Sequence, residues 1–99
     1  MLVEFSITPI DKEGKNLSEY IAKTINIIKE SGLQYELHAM GTIVEGDAEE
    51  VFDLIKKCHL NMARFSDRVS TSIKIDDRKG ATGRLKGKVA SVENKLKKS

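Results

Sequence analysis

The sequence has one cysteine, one proline, no tryptophan, two tyrosines and three phenylalanines. A lone cysteine, Cys58, cannot close an intrachain disulfide. No basic N-terminal segment runs into an apolar stretch and a small-residue cleavage site. Both features predict a reducing cytoplasm. Apolar runs are only a few residues long, whereas a spanning helix needs about 20, so membrane insertion is not expected. There is no His-Glu-Xaa-Xaa-His, no Gly-Xaa-Ser-Xaa-Gly and no P-loop ending in Gly-Lys-Ser/Thr. Hydrolysis therefore has no positive signature, and neither an enzyme nor a cofactor is expected.

Charge of one sign is also unevenly supplied. Residues 1–77 hold 9 Lys/Arg against 14 Asp/Glu, and residues 78–99 hold 8 Lys/Arg against Glu93 alone. Opposite-sign segments attract within a chain or between subunits, subject to screening by salt. The basic tail has no interleaved aromatics on which bases could stack, so no nucleic-acid partner is predicted. The 99 residues suit one domain spanning 1–99 and are too few for two cores.

Period-two alternation in "LVEFSITPI" sets Val3, Phe5 and Ile7 against Glu4, Ser6 and Thr8, a strand with one protected face that Pro9 ends. Asn16 can cap a helix over 17–31, with Glu19 at the capping-box position and a stripe of Leu17, Ile21, Ile25 and Ile28. Gly32 suits its left-handed end. "LQYELHA" and "TIVEG" read as two antiparallel strands around Met40 and Gly41. Asp47 can cap a second helix over 48–65, whose stripe is Val51, Ile55, Cys58, Met62 and Phe65. In "DRVSTSIKIDD", Val69, Thr71, Ile73 and Ile75 alternate with Ser70, Ser72, Lys74 and Asp76. Leu85, Val89, Val92 and Leu96 share a face of a third helix beginning near 85.

The order strand, helix, strand, strand, helix, strand predicts an α+β, ferredoxin-like βαββαβ sandwich with an additional C-terminal helix. Both main helices pack on one sheet face and leave the other bare, carrying Glu4, Ser6, Thr8, Glu36, His38, Ser70, Ser72 and Lys74. The apolar stripe of the third helix needs a partner surface, so self-association is expected.

Several residues invite chemistry. Cys58 and His59 are adjacent on a helix and diverge by about 100°, which favours a core cysteine over a catalytic or metal pair. His38 shares the polar face with Glu36 and can offer one ring nitrogen as donor and the other as acceptor, either to a heterocycle or to a structural partner. Asp76 and Asp77, beside Arg78, suit local salt bridging or a small-molecule site better than a metal. The connector "GATGRLKGK" could attract an anion at a helix start.

Taken together in order, "VEFSITPI", "SGLQYELHAMGTIVEGD", "DRVSTSIKIDDR" and "GKVASVE" resemble the small thiamine-binding-protein family over about residues 2–93. The resemblance implies a ferredoxin-like domain that assembles through its sheets into homodimers or homotetramers. It also implies binding of thiamine or a related pyrimidine without turnover. Carried over by motif position and predicted face, it points to Glu4, Ser6, His38, Thr42 and Asp76 as lining residues. Glu36 joins them because a thiazolium cation would be attracted by Glu4, Glu36 or Asp76. The alternative expectation is a structural or regulatory homo-oligomer whose sheet face meets protein.

Overall fold

The computed structural model describes residues 1–11, 17–80 and 83–85. Its elements are β1 (Leu2–Pro9), α1 (Leu17–Glu30), β2 (Gln34–His38), β3 (Gly41–Glu45), α2 (Ala48–Ala63) and β4 (Val69–Asp76). The strands form one antiparallel sheet in the order β2-β3-β1-β4, so the fold is the expected ferredoxin-like α+β arrangement. The expected third helix lies outside the described residues beyond Leu85, as does the Asn16 cap.

Alternation along the strands decides the layers. Val3 and Phe5 face the helices beside Val44, and with Ile28, Val51, Leu54, Ile55 and Cys58 they form the buried core. Each core strand thus contributes every second side chain, while α1 and α2 contribute residues at helical spacing. Asp47 caps α2 by accepting the N–H of Glu50 at 2.9 Å. The helix ends at Ala63, two residues short of its expected end, and Phe65 stacks instead on Tyr20 of α1 with ring centroids 4.2 Å apart. Asn61 ties the helices together further, donating to the Tyr20 carbonyl at 3.3 Å and to the Thr24 hydroxyl at 3.1 Å. Helix α1 ends at Glu30, and Gly32 follows at φ 75°, the left-handed conformation that glycine adopts without a Cβ penalty.

The sheet is stepped. β1 pairs with β4 along its whole length, Leu2 opposite Asp76 through Pro9 opposite Val69. Its pairing with β3 stops at Phe5 opposite Thr42, because β2 and β3 have only five residues each before their turn at Ala39 and Met40. At that boundary a Cβ on Gly41 would sit 2.9 Å from the Phe5 carbonyl oxygen, so the close approach of hairpin to β1 requires glycine.

The step leaves parts of the apolar pattern uncovered. Ile21 on the α1 stripe is 44% exposed and Leu37 on β2 is 47% exposed, both beside the short hairpin. On β4, Ile73 and Ile75 share the helix-bearing side with Phe5 and Val3 but stay 44% exposed, since that strand lies at the sheet margin.

Candidate functional site

The polar face has the composition expected of it. Register places Glu4 between Ile43 of β3 and Lys74 of β4, and Ser6 opposite Ser72. Glu36 lies on the same face, also opposite Ile43, and His38 lies opposite Gly41. His38 Nε2 is 3.4 Å from Glu36 Oε2, a pairing two residues apart on one strand face. The Glu4 side chain is exposed and makes no ion pair or hydrogen bond among the described residues.

Asp76 lies at the far end of this face and is engaged by Arg84, whose guanidinium bonds both its carboxylate and its backbone carbonyl, the latter at 3.0 Å. The partner is thus Arg84 rather than the adjacent Arg78. Glu45, on the same face of β3, accepts the backbone N–H groups of Arg84 at 2.9 Å and Leu85 at 3.2 Å. Leu85 is buried. Arg84 and Leu85 therefore lie against the acidic end of the sheet face, an arrangement in which opposite charges and unpaired N–H groups are satisfied at once.

Thr42 is on the other side of the sheet. Its register partners, Phe5 and Leu37, face the helices, so its side chain is separated by the sheet from Glu4, Glu36 and Asp76. It lines a pocket of about 320 Å³ under α1 at the step in the sheet, walled by Ile7, Ile21, Ile25, Leu37 and Met40. Ser6 and His38 also line this pocket, so Ser6, His38 and Thr42 come together there. A smaller pocket of about 110 Å³ on the polar face is lined by Glu4, Ser6, Met40, Ser72 and Lys74. Phe5, Ser6 and Met40 belong to both, and the two hollows meet around β1 where β3 no longer flanks it. Glu4 and Asp76 also border a third hollow of about 620 Å³ with Leu2, Ile43 and Lys74.

The pocket under α1 was not foreseen from residue types, because apolar residues at helical and strand spacing read as core. The signal available was length. A first strand of eight residues beside a hairpin of five-residue strands must run unpaired at one end.

The Cys58 and His59 pair separates as helical geometry demands. Cys58 is fully buried, and burial alone pushes its thiol up to about 11, so the reactive thiolate is disfavoured. His59 Nδ1 shares a 2.6 Å hydrogen bond with the Thr71 hydroxyl of β4. Among the described residues, no group of three or more His, Cys, Asp or Glu side chains is placed to hold a metal ion. Among them, too, no helix is long and apolar enough to cross a membrane.

Comparison with known proteins gives a consistent picture. A family model described as thiamine-binding protein matches residues 3–93. UPF0045 protein MJ1052 of Methanocaldococcus jannaschii is 36% identical over 92 residues, covering 93% of this chain and 91% of its own. The crystal structure of that protein superposes with a TM-score of 0.81 at 35% identity, covering 93% of this chain and 94% of the other. A Thermotoga maritima protein, whose name proposes a role in thiamine biosynthesis or salvage, superposes with a TM-score of 0.73 at 29% identity over 90% of this chain and 96% of its own.

Proposed function

Since the chain belongs to the thiamine-binding-protein family, we propose that it is a non-catalytic, self-associating binding protein for thiamine or a related pyrimidine-containing metabolite. The observation that carries this reading is the pair of hollows joined around Ser6. Thiamine has two chemically different halves, an uncharged aminopyrimidine and a cationic thiazolium. The apolar pocket under α1, rimmed by Thr42 and His38, suits a flat heterocycle that retains a few polar contacts. The neighbouring hollow offers Glu4, a carboxylate that forms no ion pair among the described residues even with Lys74 opposite it, to a positive charge. Glu36 adds negative charge to the same face, and Asp76 contributes less because Arg84 already neutralises it.

This division changes the roles first expected of the six residues. Ser6, His38 and Thr42 serve the ring, Glu4 and Glu36 serve the cation, and Asp76 serves chiefly to hold the connector. Self-association supplies the enclosure that these open hollows lack in one subunit, since ligand sites bury most of a small molecule's surface. The exposed Ile73 and Ile75 on the marginal strand β4 favour a second reading, a structural or regulatory homo-oligomer with no small-molecule ligand.

Calorimetric titration of the full chain with thiamine, alongside native mass spectrometry, separates the two. The proposed role expects an assembled species that takes up thiamine and loses affinity in Glu4→Gln, with the loss shrinking at high salt. Heatless titration by an assembled species, with no mass of a retained small molecule, would leave the purely structural reading.

A further inference from the structure

The hydrogen-bonding parity of β1 singles out one main-chain group in the joined pocket. Met1 and Gly46 exchange both of their backbone hydrogen bonds, the amino terminus to the Gly46 carbonyl at 2.7 Å and the Gly46 N–H to the Met1 carbonyl at 3.1 Å. At the other end, the Ile10 N–H donates to the Arg68 carbonyl at 2.8 Å. Because a strand residue points its N–H and C=O to the same side and successive residues alternate, odd-numbered residues of β1 address β3 and even-numbered ones address β4. Val3 and Phe5 meet Val44 and Thr42. Ile7 comes next, and its β3 partner position is the hairpin turn at Met40, where pairing has ended. Among the described residues the Ile7 N–H and C=O have no backbone partner on that side, and Ile7 lines the pocket under α1. The next residue of the same parity is Pro9, which brings no N–H at all.

We propose that Ile7 reads its ligand through the main chain, its N–H donating to a ring nitrogen and its C=O accepting from the adjacent amino group of an aminoazine. Such an amidine edge presents one acceptor beside one donor, the same pair that an opposing strand residue would offer Ile7 in an antiparallel ladder. The ring then lies in the plane that the missing strand would occupy, between Ile21 and Ile25 of α1 and the tip of the hairpin at Leu37 and Met40. A peptide strand fits less well. The free edge offers one donor, it is bounded by the hairpin turn on one side and by Pro9 on the other, and strand addition draws its affinity from several successive rungs. The inference rests on the small-molecule reading of this pocket and names the ligand feature that the pocket selects.

The test follows the backbone amide spectrum of isotope-labelled full-length protein during titration with 4-amino-2-methylpyrimidine, 2-methylpyrimidin-4-one and thiamine. The aminopyrimidine should move the Ile7 amide proton downfield and slow its exchange. The pyrimidinone, which reverses donor and acceptor, should bind at least about 10-fold more weakly, the scale of one lost hydrogen bond with its unsatisfied partner. Ile7→Pro removes a donor that β4 does not use, and Pro9 shows that β1 keeps its ladder with proline at this parity. That variant should lose about 10-fold in aminopyrimidine affinity, with a modest fall in melting temperature because the Ile7 side chain also packs against the core. If it does not fold, the amide shift in the unsubstituted protein decides alone. Equal affinity for the two pyrimidines, or a silent Ile7 at saturation, overturns the inference. Thiamine binding that perturbs Glu4 and Lys74 but leaves Ile7 silent would retain the proposed function and discard this one. An Ile7 response to aminopyrimidine without thiamine binding would do the reverse, and binding of no probe at millimolar concentration would remove both.

Discussion

Glu45 on β3 and Arg84 in the connector are joined at the backbone, the carboxylate accepting the Arg84 N–H at 2.9 Å while the Arg84 guanidinium turns to Asp76 of β4. A negatively charged strand face and a positively charged segment thus meet in one place. Two acidic residues of the face are committed to holding the connector, and Glu4 and Glu36 are left facing outward.

Glu45→Ala leaves the N–H groups of Arg84 and Leu85 without their acceptor and should cost about 1–3 kcal/mol in urea unfolding. Arg84→Lys keeps the charge but loses the planar fork that reaches the Asp76 carboxylate and carbonyl together. It should therefore fall between the parent and Arg84→Ala. Indistinguishable curves for all of them would mean that the connector is not held there in solution.

Gly41→Val places a branched side chain where even a Cβ lies 2.9 Å from the Phe5 carbonyl oxygen. The backbone of β1 cannot yield as a flexible side chain would, so the expected loss is about 1–3 kcal/mol. Gly32→Ala is the control, since its Cβ would meet nothing within 4 Å and only the positive φ opposes it. Thermal unfolding of both variants ranks steric contact against backbone conformation.

Cys58 should resist alkylation in the native state, because burial raises the thiol from its ordinary value of 9.0 to about 11. The raised value also fixes a sign. Well below pH 9 the thiol is protonated in both folded and unfolded chains and contributes no pH dependence. Between about pH 9 and 11 the unfolded chain ionises while the native one does not, and stability falls. Comparing the parent with Cys58→Ala over this range isolates the effect, since the parent should lose stability faster as pH rises.

Asn61→Ala should cost about 1–2 kcal/mol, because it leaves the Tyr20 carbonyl and the Thr24 hydroxyl without their donor from the facing helix. Coupling to Phe65→Ala in a double-mutant cycle is expected, because Phe65 stacks on that same Tyr20.

Much of this architecture is legible in the amino-acid order. Val3, Phe5 and Val44 alternate with polar neighbours, Asp47 announces α2, and Gly32 closes α1, each through a local rule that tertiary packing reinforces. The outward placement of Glu4, Glu36 and His38 follows from period two alone. Thr42 escaped that logic because a one-residue difference in parity puts the sheet between it and Glu36, and it meets His38 only at the hairpin end, in the pocket under α1. Arg84 and Glu45 are 39 residues apart, and nothing local in either signals their contact. The end of α2 also depends on tertiary structure, since Phe65 continues the helical stripe yet leaves the helix to stack on α1.

The step in the sheet makes hairpin length a selectable variable. Adding one residue to each of β2 and β3 would let the hairpin satisfy Ile7 by itself, closing the opening with an ordinary rung while leaving the helices, the core and the polar face as they are. Chains of this architecture could thus gain or lose a vacancy for a flat ring through a two-residue insertion at a surface turn, where natural variation in length is tolerated best.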